Sequence, residues 1–587
     1  MNMNIQIITL IVLLAAMSIM PASAETLEIR GEVVELTTAQ AAPISWDAYN
    51  FDVFWCDLDD NLISERLTIA AGALTGPNTD RTIGKNCLSY QTIPVYQQYE
   101  LYENKGLTVN GNTGYYIEGF MGEQYVAING RADKLCKHLV EFEDDDKKTL
   151  STGEAWDLGG GFALTAGNIP GSCGANELCD SCTLSLSKNG VKLDEQNIYV
   201  NTTDDQDRVY TYAPNTGGEE RVPVFSCYVD AVFNGTDTDI VQLMHVFLID
   251  SGVLEIDTGD AFGVMEVMTA SSSQILLRNN EYAIDLDEGS TEQIMGNIHF
   301  KTSDDNRAIR FYPVVGYSKS GTYTIRGNVM DLMSSAQSAD IVWDAANFTG
   351  FWYGLDDGLK TEQLTVLAGT INSVAGDRTI DKNTLVYSTS PVYHQYELNE
   401  NEGLVVDSKN PGGDAGYYLE GFMGEKYVAI NNRADKLCRL LVEFEDYDTK
   451  TLSTGEAWDL GGGFCLIANQ INLNGDEAWL LLVKDGKELG NGFVSTNATR
   501  QDRVYTCTLN IGEEKWIPVF SCYATAIFRG TDTNAVQIKY VFLIDDDVIE
   551  IETQDQYGIM EVMVANATHV RLENEDPLDR GQGRYHV

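Results

Sequence analysis

Basic residues are scarce. Lys and Arg number 39 against 88 Asp and Glu, so the 587-residue chain carries a formal net charge of −49. Neutralising phosphate takes clustered Lys and Arg, and a surface of the opposite sign excludes nucleic acid and disfavours an anionic membrane. Histidine is rarer still: the six are His138, His245, His299, His394, His569 and His586. Signatures of catalysis are missing, with no G-x-S-x-G elbow, H-E-x-x-H, P-loop or dinucleotide fingerprint anywhere. Past the N-terminus no run approaches the roughly 18 apolar residues of a membrane span, and the C-terminal NEDPLDRGQGRYHV is polar. No transmembrane anchor is therefore expected once a leader is removed. Yet 43% of residues are hydrophobic and 10% aromatic, too much core material for a disordered acidic chain. The acid must coat folded domains.

A leader is expected at residues 1–24. The apolar run IQIITLIVLLAAMSIM, from Ile5 to Met20, is followed by Pro21-Ala22-Ser23-Ala24, an A-x-A site that invites cleavage after Ala24 and predicts export.

Internal repetition is the strongest signal. Trp46-Asp47-Ala48 returns at Trp343 and Asp80-Arg81-Thr82-Ile83 at Asp377, both 297 residues on. GYYIEGFMGEQYVAI from Gly114 returns as GYYLEGFMGEKYVAI from Gly416, and TLSTGEAWDLGGGF from Thr149 returns unchanged from Thr451, 302 residues later. QDRVY, PVFSCY and the FGVMEVM/YGIMEVM pair follow at an offset of 295. Collinear blocks of this kind imply tandem duplication of a large unit. Short runs such as Val246-Phe247-Leu248-Ile249, broken by Asn-Gly pairs at Asn110, Asn129, Asn189 and Asn474, read as strands and hairpins. The expected fold is all-β, with about two β-sandwich domains per copy and four β-domains in a row. Copy 1 is placed at 25–280 and copy 2 at 327–587; residues 281–326 are either a connector or the last strands of copy 1. Copy 2 runs only a few residues past Asn574, the counterpart of Asn279, so it is expected to be truncated at its C-terminus.

The WDAYNFDVFW/WDAANFTGFW pair, the GYYxEGFMGExYVAI and STGEAWDLGGGF blocks and the RFYP segment at Arg310 resemble the S-layer duplication domain of methanogenic archaea of the Methanosarcina type. The resemblance covers nearly all of the mature chain. It implies two tandem copies of two β-sandwiches each, forming a paracrystalline cell-surface lattice that acts as an acidic molecular sieve through self-association or contact with other S-layer subunits. Such proteins usually continue into an acidic tether and a transmembrane helix. Neither is seen in this sequence, and the expectation is a secreted or lattice-associated relative or a truncated copy. The alternatives are a secreted adhesion or glycan-binding protein, with Trp156, Trp458 or Trp479 as sugar platforms, and a secreted hydrolase.

No catalytic or cofactor-binding residue is assigned. In the alignment of the copies Leu440 stands opposite His138, Tyr540 opposite His245 and Gln97 opposite His394, so no histidine is doubled. Leu158-Gly159-Gly160-Gly161-Phe162 lacks a following G-K-[ST] and reads as a tight turn or bulge. Acid runs at Glu141–Asp146, Asp204–Asp207, Asp285–Glu288 and Asp545–Asp547 offer oxygen ligands to Ca²⁺ or Mg²⁺, or form solvated faces. Of eleven cysteines only Cys136/Cys438 and Cys227/Cys522 are doubled, reading as buried thiols; the Cys173, Cys179, Cys182 cluster suits an internal disulfide better than zinc. Glycosylation candidates are Asn201, Asn234, Asn347, Asn497 and Asn566, with the Asn201/Asn497 loop favoured.

Overall fold

The structure, a computed structural model, describes residues 27–579 apart from 59–60, 78–79, 168–176, 179, 235–238, 319–322, 331, 333–336, 372–378, 408–414, 473–475 and 530–533. The expected leader lies outside the described residues. Two compact units, Glu28–Gly316 and Tyr317–Gly581, are built almost wholly of antiparallel strands. Among the described residues the only α-helices are the six-residue Glu100–Lys105 and Glu397–Glu402, each stopped by a left-handed glycine, Gly106 or Gly403.

In the first unit the outer pieces of chain make one sandwich. A six-stranded sheet runs in the order Ala261–Phe262, Met265–Ala270, Ile275–Arg278, Leu88–Thr92, Glu65–Ile69, Ile44–Asp47. A five-stranded sheet of Leu27–Arg30, Val34–Leu36, Thr291–Met295, Ile298–Thr302 and Ile309–Tyr317 packs on it through Trp46, whose ring lies 5.6 Å from Phe300 and 5.9 Å from Phe311. The residues in between make the second sandwich. Its large sheet includes Val95–Gln98, Gly114–Phe120, Glu123–Ala127, Lys134–Glu141, Phe225–Asn234 and the long Ile240–Glu255; its small sheet is Ala155–Gly159, Phe162–Ala166, Ser181–Lys188 and Val191–Tyr199. Phe162, Leu164, Leu184 and Leu186 from the small sheet meet Phe225, Leu243 and Leu248 from the large one. Burial alternates residue by residue along Phe162–Ala166 and Ser181–Lys188, because successive side chains leave opposite faces of a strand.

The two sandwiches of a unit are thus nested, not consecutive: the second is inserted between two halves of the first. Offsets along a sequence cannot reveal this, since strand pairing joins Leu88–Thr92 directly to Ile275–Arg278. Residues 281–317 supply Ile284–Asp285, paired with Thr82–Ile83, and then three strands of the first unit's five-stranded sheet. The second unit repeats the plan with a six-stranded sheet, an eight-stranded sheet and a four-stranded sheet. Its Leu578–Asp579 pairs with Thr379–Ile380, as Ile284–Asp285 does with Thr82–Ile83. No counterpart of the following three strands occurs among the described residues.

A buried asparagine clamps each first sandwich. Asn279 Oδ1 accepts from the Leu88 amide at 2.9 Å while its Nδ2 donates to the Gly84 and Tyr282 carbonyls, both at 2.9 Å. Asn574 repeats the set with Leu385, Asp381 and Asp576, and neither is exposed at all. Asn279→Ala or Asn574→Ala orphans buried backbone groups and is expected to cost about 2–4 kcal/mol. The loss should appear, by urea unfolding read with hydrogen exchange, only in the unit that carries the change.

Candidate functional site

The doubled block E-G-F-M-G-E, identical in the two copies, is explained by a buried carboxylate. Glu65, on the strand Glu65–Ile69, turns into the junction of the two sandwiches and accepts hydrogen bonds from the Tyr90 hydroxyl at 2.7 Å, the Gly122 amide at 2.9 Å and the Trp55 amide at 3.3 Å. Tyr90 in turn accepts from the Met121 amide at 2.9 Å. Met121 (φ 56°) and Gly122 (φ 81°) form the left-handed turn between Gly114–Phe120 and Glu123–Ala127. A Cβ on Gly119 would lie 2.1 Å from Glu65 Oε2, so only glycine admits the carboxylate. In the second unit Glu362, Tyr387, Met423, Gly424 and Gly421 take the same places with matching bonds.

Beside this carboxylate sits a second acid, Glu118 or Glu420, wholly inaccessible and with both oxygens unpaired. Burial drives these groups toward the protonated form, Glu65 and Glu362 to about 7, Glu118 to about 9 and Glu420 to about 8, and the neighbouring acid adds to the rise for Glu118 and Glu420. Glu in the middle of an apolar, duplicated strand was the available sequence signal, and counting acids as surface missed it.

A third doubled acid lies in each second sandwich. Tyr115 donates to Glu141 and Tyr417 to Glu443. The histidines, undoubled in sequence, converge here in space: His138 Nε2 is 3.6 Å from Glu141 and His394 Nε2 is 3.6 Å from Glu443. They arrive from different strands, Lys134–Glu141 and Val392–Gln395, which alignment of the copies cannot show. The charge states differ. Burial pushes Glu141 up to about 8; burial also opposes ionisation of Glu443, but Lys426 at 2.9 Å, Tyr417 and His394 outweigh it and hold the carboxyl below its ordinary range. The remaining aligned pair, His245 and Tyr540, shares a left-handed backbone (φ 46° and 50°) and a ring contact with Tyr228 or Tyr523.

The acid runs are mostly engaged locally. Asp146 accepts from the Glu143 amide, Asp204 from the Gln206 amide and Asp285 from the Thr82 hydroxyl, while Asp545 and Asp546 both pair with Lys484. Among the described residues no three His, Cys, Asp or Glu side chains gather as a metal site would require. Gly159, Gly160 and Gly161 all have left-handed φ, 85°, 57° and 78°, as do Gly461, Gly462 and Gly463; the run closes a hairpin, and this accounts for its unchanged recurrence. Cys136, Cys438, Cys227 and Cys522 are buried free thiols, as is Cys182; Cys173 and Cys179 lie outside the described residues.

Asn201 and Asn497 are exposed, each following the last strand of a small sheet. Asn347 is half-buried with its amide spent on Asp344 and Val342, and Asn566 accepts from Thr568 and His569. Asn234 ends the strand Phe225–Asn234, and the rest of its sequon is outside the described residues. Trp156 and Trp458 are equivalent and half-buried, packed on Phe142 at 5.5 Å and Phe444 at 5.6 Å. Trp479 stacks on the exposed Phe493, where the first unit has Thr183 bonded to Asn197.

For an acid whose folded pKa is raised, the folded state holds the proton more tightly, so stability is full below the ordinary value of 4.5 and falls as pH climbs towards the folded value. Glu118→Gln with Glu420→Gln should remove part of that slope, which reaches at most about 1.4 kcal/mol per pH unit per group. Urea midpoints should differ little from the parent at pH near 5 and lie above it at pH near 9; parallel curves would contradict the assignment.

Comparison with known proteins bears on both units. A family model described as S-layer protein matches residues 35–304 and 333–585. The chain is 30% identical over 579 residues to a Major S-layer protein of Methanosarcina mazei, covering 96% of this chain and 80% of the relative. It is 30% identical over 587 residues to that of Methanosarcina acetivorans, with 96% and 81% covered, and 29% identical over 592 residues to that of Methanosarcina barkeri, with 98% and 82% covered.

Proposed function

Because the chain belongs to the S-layer protein family, whose proteins form the extracellular surface layer of the cell, we propose that it serves there as a structural subunit or associate of a paracrystalline lattice, without catalysis. The observation that carries the reading is that the family match spans both units and that the two units repeat one nested fold, giving a single chain two like sets of outward faces. With a net charge of −49, a layer of such subunits is a sieve that disfavours anions at its pores. Among the described residues no helix is long and apolar enough to cross a membrane. Export removes residues 1–24, and Asn201 and Asn497 are the sequons we assign to glycans, because both are exposed and lie in loops.

Like-charged faces brought within a Debye length of about 8 Å repel. We assign Ca²⁺ or Mg²⁺ to bridging carboxylates of adjacent subunits, hard oxygen donors suiting both ions; a shared site needs no three-ligand cluster within one chain. The mature protein, followed by sedimentation and electron microscopy across a divalent titration, is expected to form ordered sheets at millimolar cation and to return to monomer with chelator. A monomer at every concentration, or equal association in monovalent salt of matched ionic strength, would refute bridging. Glycopeptide mass spectrometry of protein from its native cells should find modification at Asn201 and Asn497 and none at Asn347.

A further inference from the structure

The small sheet of the second unit is apolar on both faces, and that of the first unit is not. Phe464, Leu466, Leu480 and Leu482 point inward and are wholly buried, as Phe162, Leu164, Leu184 and Leu186 are in the first unit. Successive side chains leave opposite faces of a strand, so Cys465, Ile467, Trp479, Leu481, Val483 and Phe493 share the outward face. Strand register sets them side by side, Cys465 opposite Val483, Ile467 opposite Leu481 and Trp479 opposite Phe493. The corresponding pairs of the first unit are Ala163 with Ser187, Thr165 with Ser185 and Thr183 with Asn197. Inside, the two sheets are nearly alike; outside, one presents small polar side chains and the other large apolar ones.

The apolar side chains are contiguous. Phe493 is 68% exposed and the other five are half-buried. The Trp479 and Phe493 rings stack at 5.8 Å and 16°. Trp479 Nε1 donates to Asn491 Oδ1 at 3.3 Å, and Asn491 Nδ2 donates to Glu488 at 2.6 Å, so the one polar group of the indole is satisfied and its ring is held in the face. Apolar side chains scattered singly on a surface need no explanation, but a continuous group across three strands marks an interaction site. Its centre is aliphatic, which suits a protein surface better than sugar hydroxyls.

We propose that this face packs on the same face of a second copy of the chain, the two four-stranded sheets stacked about 10 Å apart around a two-fold axis. Area supports that occupant. Four strands about 4.8 Å apart, the longest of nine residues at about 3.3 Å each, make a face of roughly 19 by 30 Å, and two such faces bury on the order of 1,200 Å², the lower bound of a specific interface. Charge supports it too. On a chain of net charge −49 most approaches of one copy to another are repulsive, whereas here the middle is uncharged and Asp459, Glu477 and Glu488 stand around it. This acid rim opposes pairing at low ionic strength and yields to screening or to a divalent ion. The proposal rests on the lattice reading for its choice of a like chain, and it names a contact that the reading leaves open.

The test is sedimentation of the mature full chain over a concentration series in chelator and about 1 M sodium chloride, where the Debye length falls to about 3 Å and no divalent bridge can form. A monomer–dimer equilibrium that stops at the dimer is expected. Trp479→Thr, Leu481→Ser, Val483→Ser and Phe493→Asn together install the residues that the first unit carries at the same places, and dimerisation of this variant is expected to weaken at least tenfold. Maleimide labelling, read by peptide mass spectrometry on the parent chain, should slow at least tenfold at Cys465 on dimerisation and stay unchanged at Cys87 in the first unit. If urea unfolding shows the variant's second unit to be disrupted, the labelling decides. A parent that stays monomeric, a dimer of equal strength in the folded variant, or unaltered labelling of Cys465 overturns the proposal, the first of these leaving the face to a different protein or a glycan. Failure to form sheets with divalent cation bears on the lattice reading alone, since the dimer is read in chelator.

Discussion

Each unit depends on a carboxylate that has no business in an apolar interior unless its neighbours are arranged around it. Glu65, and Glu362 in the second unit, gathers two amides and a tyrosine hydroxyl from three separate segments. One of those amides belongs to the hairpin turn of the inserted sandwich, while the acid belongs to the outer one. The bonds therefore fix how the two sandwiches of a unit meet. A buried polar group left unpaired is expensive, so few other arrangements of the hairpin are tolerable, and the glycine that makes room, the left-handed turn and the tyrosine are all specified with it.

That constraint explains why the copies diverge where they do. Around the carboxylate the sequences remain almost identical, whereas the small sheet exchanges a Thr183–Asn197 hydrogen bond for a Trp479–Phe493 stack. Positions facing water answer mainly to solubility and to partners. Positions in the junction answer to several bonds at once. The histidines show an intermediate case: each second sandwich keeps an imidazole near its Glu–Tyr pair, yet draws it from a different strand, because cross-strand neighbours on one face of a sheet are interchangeable suppliers of the same side chain.

Acidity is divided in the same way. Most carboxylates are at the surface or spend an oxygen on capping a turn, as Asp146 and Asp204 do. Glu65, Glu118 and Glu141, with Glu362 and Glu420 in the second unit, are inside and favour the proton, whereas Glu443 is held ionised by its neighbours. The external charge sets how copies approach one another, whereas the internal acids tie stability to pH.

The sequence by itself determined the duplication, the all-β character and the equivalence of Trp156 with Trp458, because collinear blocks and period-two alternation are properties of order along a chain. It also determined that the Gly159–Gly161 run is a turn, since three successive glycines without a phosphate-loop lysine leave little else. Only the tertiary structure decided that the second sandwich is inserted in the first, that Glu65 and Glu118 are inside, and that His138 and His394 occupy equivalent places in the two units. Each of these rests on pairings between residues far apart in the chain, such as Leu88–Thr92 with Ile275–Arg278. The same Ile-Arg pair lies in the strand Leu27–Arg30 where Ile309–Tyr317 is beside it, and outside any strand at Ile325-Arg326: a β-strand acquires its ladder hydrogen bonds, and its burial, only from a neighbour.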